Sequence, residues 1–270
     1  KFKKIEYIIT GDYMYYNQDD YSIYYEKYGQ KEKTILILPG WGDTRKTFTY
    51  LINKLQENFT IYIIDYPGFG NSPFPGKDLT IYDYTNIIRN FMYEKEITNP
   101  IIIAHSFGGR IATLLAGYYK EKIDKLILID TAGIKRRKKF KVWIKELTYK
   151  LLKKFKKILP PSQKEKYHKK LLQIFGSRDY TALPINMNKT FQNIIKEDLK
   201  YYLPYIDVET LILWGEKDND TPLKDGKLIQ KKIKDSALII YPKATHYSYL
   251  EQPNLTYKII ESFILTNRDY

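Results

Sequence analysis

Residues 100–117 read PIIIAHSFGGRIATLLAG. A run of apolar residues ends at a serine, and a helix-forming stretch follows it at once. The short apolar run predicts a β-strand buried on both faces, and the stretch from Phe107 predicts a helix. Between them Ser106 is flanked two places away by Ala104 and Gly108. Small residues at those two places are what a sharp strand-to-helix turn needs, because the turn brings the two elements close and lifts the serine above the carboxyl end of a sheet.

The same grammar recurs along the chain. Continuously apolar strands are predicted at 34–40 (TILILPG), 60–68 (TIYIIDYPG), 125–133 (KLILIDTAG), 210–216 (TLILWGE) and 237–244 (ALIIYPKA). Helical patterns lie near 46–57, 80–95, 107–119, 225–234 and 253–266. Alternation of this kind predicts a doubly wound, mostly parallel sheet with right-handed crossovers. The N-terminal segments KIEYIIT, YMYYN and SIYYEKYG are broken by Gly11-Asp12 and Asp19-Asp20, and they predict antiparallel strands. Residues 134–205 interrupt the rhythm with a helix-rich stretch too long for a simple crossover. The expected organisation is a core of 1–133 and 206–270 carrying a helical insert at 134–205.

Charge singles out the same insert. Of the 270 residues, 45 are Lys or Arg and 31 Asp or Glu, a formal net charge of +14. Residues 134–170 hold 16 of the basic residues and only Glu146 and Glu165 of the acidic ones, so the rest of the chain is balanced. Phe140, Trp143, Leu147, Leu151, Phe155 and Ile158 recur there at helical steps with lysines between them, which predicts a basic amphipathic helix. Such a segment suits an anionic membrane surface or an anionic substrate. No nucleic-acid recognition motif accompanies it, and no nucleic-acid role is expected. The chain has no cysteine, which excludes disulfides, thiolate nucleophiles and cysteine-ligated zinc. With three scattered histidines no metal site is expected either. The basic start KFKKIEYIIT lacks the apolar core of a signal peptide, so a cytoplasmic location is expected.

A serine nucleophile needs a base. Of the three histidines, His105 adjoins Ser106 on the turn and is expected to make local hydrogen bonds, while His168 lies in the basic insert. His246, in PKATHYSYLEQP after the last apolar strand, is the candidate base. A carboxylate should orient its imidazole. Asp218, three residues beyond Gly215 in LILWGEKDNDTP, is one candidate, and Asp130 at the end of LILID is another. Donors for a developing oxyanion are expected from the main-chain N–H groups of Phe107 and of Trp41 in LPGWGDT. Two nucleotide-loop look-alikes, GWGDTR and GFGNSP, carry Arg45 and Pro73 in place of a third glycine.

LPGWGDT, DYPGFGNSPFP, AHSFGGR, LILIDTAG, WGEKDNDTP and THYSYLEQP occur in order. Together they resemble a bacterial α/β-hydrolase fold protein of the cap-bearing kind, over nearly the whole chain apart from 134–175. The resemblance implies a cofactor-free Ser-His-Asp hydrolase whose cap is inserted after the sixth strand of the sheet, at 134–205. It departs from many members at Pro39, where His commonly precedes the glycine. Serine at 106 separates it from epoxide hydrolases and haloalkane dehalogenases, which carry aspartate there. The expected reaction is cleavage of a carboxylic ester in a small acyl substrate through an acyl-enzyme. The alternatives are carbon–carbon hydrolysis of the meta-cleavage-product type, or a related elimination as in the menaquinone-pathway cyclohexadiene carboxylate synthase, in which Arg110 would bind a carboxylate. A non-catalytic binding protein on the same fold is a third reading.

Overall fold

The computed structural model describes residues 12–18, 21–135 and 187–266, with isolated positions between 152 and 167. Among the described residues the sheet has eight strands: β1 (Asp12–Gln18), β2 (Tyr21–Tyr28), β3 (Thr34–Leu38), β4 (Thr60–Ile64), β5 (Ile101–His105), β6 (Lys125–Ile129), β7 (Thr210–Gly215) and β8 (Ser236–Tyr241). Their spatial order is β1-β2-β4-β3-β5-β6-β7-β8. The first two strands run antiparallel, Tyr25 opposite Ile64 where β2 meets β4, and every pair from β4 to β8 is parallel. This is an α/β-hydrolase fold, with the predicted strands from YMYYN onward and the predicted core helices present; the expected strand KIEYIIT falls outside the described residues.

Burial explains the apolar runs. All residues of β4, β5, β6 and β7 are buried, as a parallel sheet covered on both faces requires. Side chains alternate with a period of two. Ile35, Ile37, Ile101, Ile103, Ile127 and Ile129 therefore join one core cluster with Phe48, and with Leu51 and Leu55 of helix α1 (Thr49–Leu55). Helices α2 (Ile81–Glu94) and α3 (Phe107–Gly117) pack against each other. Helix α2 starts at a capping box, in which the Asp83 N–H donates to the Thr80 hydroxyl oxygen and the Thr80 N–H to the Asp83 carboxylate.

The chain divides into two compact units, residues 1–134 with 197–270, and residues 135–196. In the second unit the continuous described helix is α4 (Asn188–Lys196), whose last carbonyl accepts from the Lys135 ammonium at 2.7 Å. The expected basic helix at 140–158 and His168 fall outside the described residues. The predicted insert runs to 205, but residues 197–205 belong with the core. The Leu199 N–H donates to the Gly133 carbonyl at 2.9 Å, Leu199 and Leu203 are buried, and Gly117 lies against the Tyr202 carbonyl. After β7 come α5 (Leu223–Lys232), β8, the single turn α6 (Ser248–Glu251) and α7 (Pro253–Leu265).

Helix α3 approaches β3 closely. The Gly108 N–H donates to the Pro39 carbonyl at 3.0 Å, and a Cβ on Gly108 would stand 2.0 Å from the Leu38 carbonyl oxygen. Since that oxygen is backbone, Gly108→Ala is expected to destabilise the protein by about 1–3 kcal/mol through forced displacement. Urea denaturation of the variant beside wild type measures this.

Candidate active site

Three loops meet at the carboxyl ends of the parallel strands. Ser106 stands between β5 and α3 with φ 47° and ψ −108°, a left-handed conformation unusual for a residue with a side chain. Its backbone is held on both sides: the N–H donates to the Ile129 carbonyl at 3.0 Å, and the carbonyl accepts from Gly109 at 3.1 Å and Ala132 at 3.0 Å. The hydroxyl is half-buried at the head of the helix.

His246 lies on the loop between β8 and α6, and its Nε2 is 3.0 Å from the Ser106 Oγ. Its Nδ1 is 2.8 Å from the Asp218 Oδ2. A carboxylate only accepts, so Nδ1 carries hydrogen and Nε2 is left to accept from the hydroxyl. Asp218 is buried in the turn after β7, where its N–H donates to the Gly215 carbonyl. Its Oδ1 accepts from the N–H groups of Asp220 and Thr221 at 2.8 and 2.9 Å, and its Oδ2 also accepts from the Thr221 hydroxyl at 2.6 Å. Close approach of the two loops is built in at Gly215, where a Cβ would lie 2.1 Å from the Thr245 carbonyl oxygen.

These contacts set the proton affinities. Burial pushes the Asp218 carboxyl up, but the His246 hydrogen bond and charge with the two Thr221 hydrogen bonds outweigh it and hold the group below the usual carboxylate range. Burial pushes the His246 imidazole down, and the hydrogen bond and charge of Asp218, aided by Asp130 and Asp220, raise it above the ordinary value.

Asp130, the second candidate acid, is bonded elsewhere. Its Oδ1 accepts from the Gly215 N–H at 2.8 Å, and its Oδ2 accepts from the Ser248 hydroxyl at 2.6 Å and N–H at 3.2 Å. Burial raises its carboxyl to about 6, against the charge of His105 and those hydrogen bonds. Among the described residues, Asp218, Asp220 and His246 also form a group of three with ligand-bearing atoms close together. Their geometry is that of a hydrogen-bonded relay, since the Asp218 carboxylate is turned onto His246 and two backbone N–H groups.

Phe107 is the first residue of α3, so its N–H has no acceptor within the helix. The Trp41 ring meets the Phe107 ring edge-on at 5.1 Å and Phe69 at 4.6 Å. The Pro39 carbonyl accepts from the Gly108 N–H and the Tyr66 hydroxyl, which joins the turn carrying Trp41 to the serine turn. The buried Arg110 guanidinium donates to the Glu197 carbonyl at 3.3 Å. Burial lowers its affinity to about 10, with Asp198 and Glu197 opposing. Thr221 and Ser248 were not singled out from sequence. Thr221, before Pro222 in DNDTP, carried a turn signal, whereas nothing local marked Ser248 as a donor to Asp130.

The profile of the α/β hydrolase fold family matches residues 33–253, and the chain belongs to that family. It is 29% identical over 256 residues to a pimeloyl-[acyl-carrier protein] methyl ester esterase of Wigglesworthia glossinidia brevipalpis, covering 87% of this chain and 95% of that protein. It is 28% identical over 247 residues to the AB hydrolase superfamily protein YisY of Bacillus subtilis strain 168, covering 86% and 91%. Among solved structures it is similar to the esterase EaEST of Exiguobacterium antarcticum, with TM-score 0.70 and 24% identity over 91% of this chain and 96% of that one. That last likeness shows a shared fold. Among the described residues no helix is long and apolar enough to cross a membrane.

The His246 imidazole is expected to titrate above about 6.5, the ordinary value, in an NMR pH series. In Asp218→Asn the burial penalty loses its main opponent, so the midpoint is expected to fall.

Proposed function

We propose that the protein is a serine hydrolase that cleaves carboxylic esters through an acyl-enzyme. The observation that carries this is the unbroken relay from the Ser106 hydroxyl through His246 to Asp218, at 3.0 and 2.8 Å. Esterases among its relatives support the same reading.

In this mechanism the Ser106 oxygen attacks the acyl carbon while its proton passes to the His246 Nε2. Asp218 holds the imidazole in the tautomer that accepts and stabilises the imidazolium. Charge developing on the carbonyl oxygen is met by the N–H groups of Phe107 and Trp41. The imidazolium then protonates the departing alkoxide as the ester C–O bond breaks. Water repeats the sequence on the acyl-enzyme, with His246 taking its proton, and the acid is released as Ser106 recovers its hydrogen. The reaction draws on no cofactor or metal. The hydrogen bond from the buried Arg110 guanidinium to the Glu197 carbonyl favours the ester reading over the elimination reading. The concentration of charge at 134–170 favours an anionic substrate or membrane surface as that segment's partner. Binding to anionic vesicles at low salt, lost at high salt, would select the surface.

Stopped-flow hydrolysis of p-nitrophenyl esters of increasing acyl length, with methyl esters alongside, tests the reaction. Wild type is expected to show a burst. Ser106→Ala is expected to lose it with a fall in kcat on the order of 10³-fold or more. In wild type the acid limb of kcat/KM is expected to inflect above about 6.5, since His246 must be neutral to accept.

A further inference from the structure

His105 is wholly buried beside the serine, and the mechanism makes no use of it. Its Nε2 is 2.9 Å from the main-chain carbonyl of His246. A carbonyl only accepts, so Nε2–H is the donor. On the other edge of the ring, Nδ1 lies within ion-pair distance of the Asp43 Oδ2, at 3.4 Å, with no hydrogen bond between them. Asp43 belongs to the turn that carries Trp41, and its other carboxylate oxygen accepts from the Tyr247 hydroxyl at 3.3 Å. Room for this approach exists because residue 40 is glycine. A Cβ there would lie 2.4 Å from the Asp43 Oδ2 and 2.8 Å from the His105 Nδ1. The imidazole also packs against the rings of His246, Tyr247 and Tyr249, with centroids 5.0 to 5.1 Å away.

One side chain thus links three loops, those that follow β3, β5 and β8. It issues from the residue before Ser106, holds the peptide of His246, and meets the Asp43 carboxylate two residues beyond Trp41. His246 lies outside the sheet, so the direction of its imidazole depends on how its own peptide is fixed. We propose that His105, backed by Asp43, is a positioning residue that holds the His246 peptide so that Nε2 stays in line with the Ser106 hydroxyl. It also keeps the Trp41 turn in register with both. The inference rests on Ser106 and His246 acting as nucleophile and base.

The test compares His105→Gln, whose amide nitrogen can reach the place of Nε2, with His105→Leu, which fills space but donates nothing. The glutamine variant is expected to keep kcat within about threefold of wild type. The leucine variant is expected to lose roughly 10- to 100-fold in kcat with KM changed less than about threefold, the effect of misaligned groups rather than lost substrate contacts. A second readout needs no substrate: the far-downfield proton resonance of the His246 Nδ1–H on Asp218 should persist in His105→Gln and broaden away in His105→Leu. Asp43→Ala should lower kcat in wild type but add less than about twofold to His105→Leu. Equal loss in the glutamine and leucine variants, wild-type kcat in the leucine variant, or a rise in KM alone would overturn the proposal. If His105→Leu does not fold, Asp43→Ala with and without His105→Gln decides: full activity in Asp43→Ala overturns it and reduced kcat at constant KM supports it. If wild type turns over no ester and fluorophosphonate fails to label Ser106, the esterase reading falls, while the resonance still reports whether His105 holds His246.

Discussion

The bond from the Gly108 N–H to the Pro39 carbonyl, 3.0 Å long, is where the molecule's geometry is decided. It closes the gap between the helix that follows the serine and the strand that leads to the Trp41 turn. With that gap closed, the Trp41 and Phe107 rings meet edge to face, and both candidate oxyanion donors lie on elements joined directly to each other. Ser106 accepts a strained left-handed backbone as a consequence, a cost on the order of 1–3 kcal/mol. Three backbone hydrogen bonds, to Ile129 and from Gly109 and Ala132, hold it there.

Around this point the fold buries polar groups, and the carboxylates of Asp130 and Asp218 each take several partners. Parallel strands all end on the same side, so the loops after β3, β5, β6, β7 and β8 deliver Asp43, Ser106, Asp130, Asp218 and His246 to one region. Asp130 takes three donors and ties the ends of β6 and β7 to the histidine loop. With its carboxyl raised to about 6 from an unperturbed 3.8, its proton is held more tightly in the folded chain than in the unfolded one. That linkage favours the fold fully below the unfolded value and is lost as pH rises through about 6. Asp218 differs because it is less deeply buried and because a histidine and a threonine face it, so its affinity ends lowered. Two aspartates at neighbouring strand ends are therefore set to different states by their depth and their partners together.

The strands and helices of the core could be read from sequence because their signal is local. A run such as ILILP or IIIA is apolar at every position only when both faces are covered, and Ala104 and Gly108 around Ser106 report a tight turn within five residues. Ser106 and His246 were legible for a related reason: a serine on such a turn is rare, and only three histidines were available. The sequence by itself thus determined the described strands, the parallel run of those from β3 onward and the serine turn. Only the tertiary structure decided which aspartate faces the imidazole, that residues 197–205 return to the core, and that His105 reaches the His246 peptide. Those outcomes depend on distances between loops far apart in the chain, fixed by close approaches such as Gly215 against Thr245, and no local pattern of residues encodes such a distance.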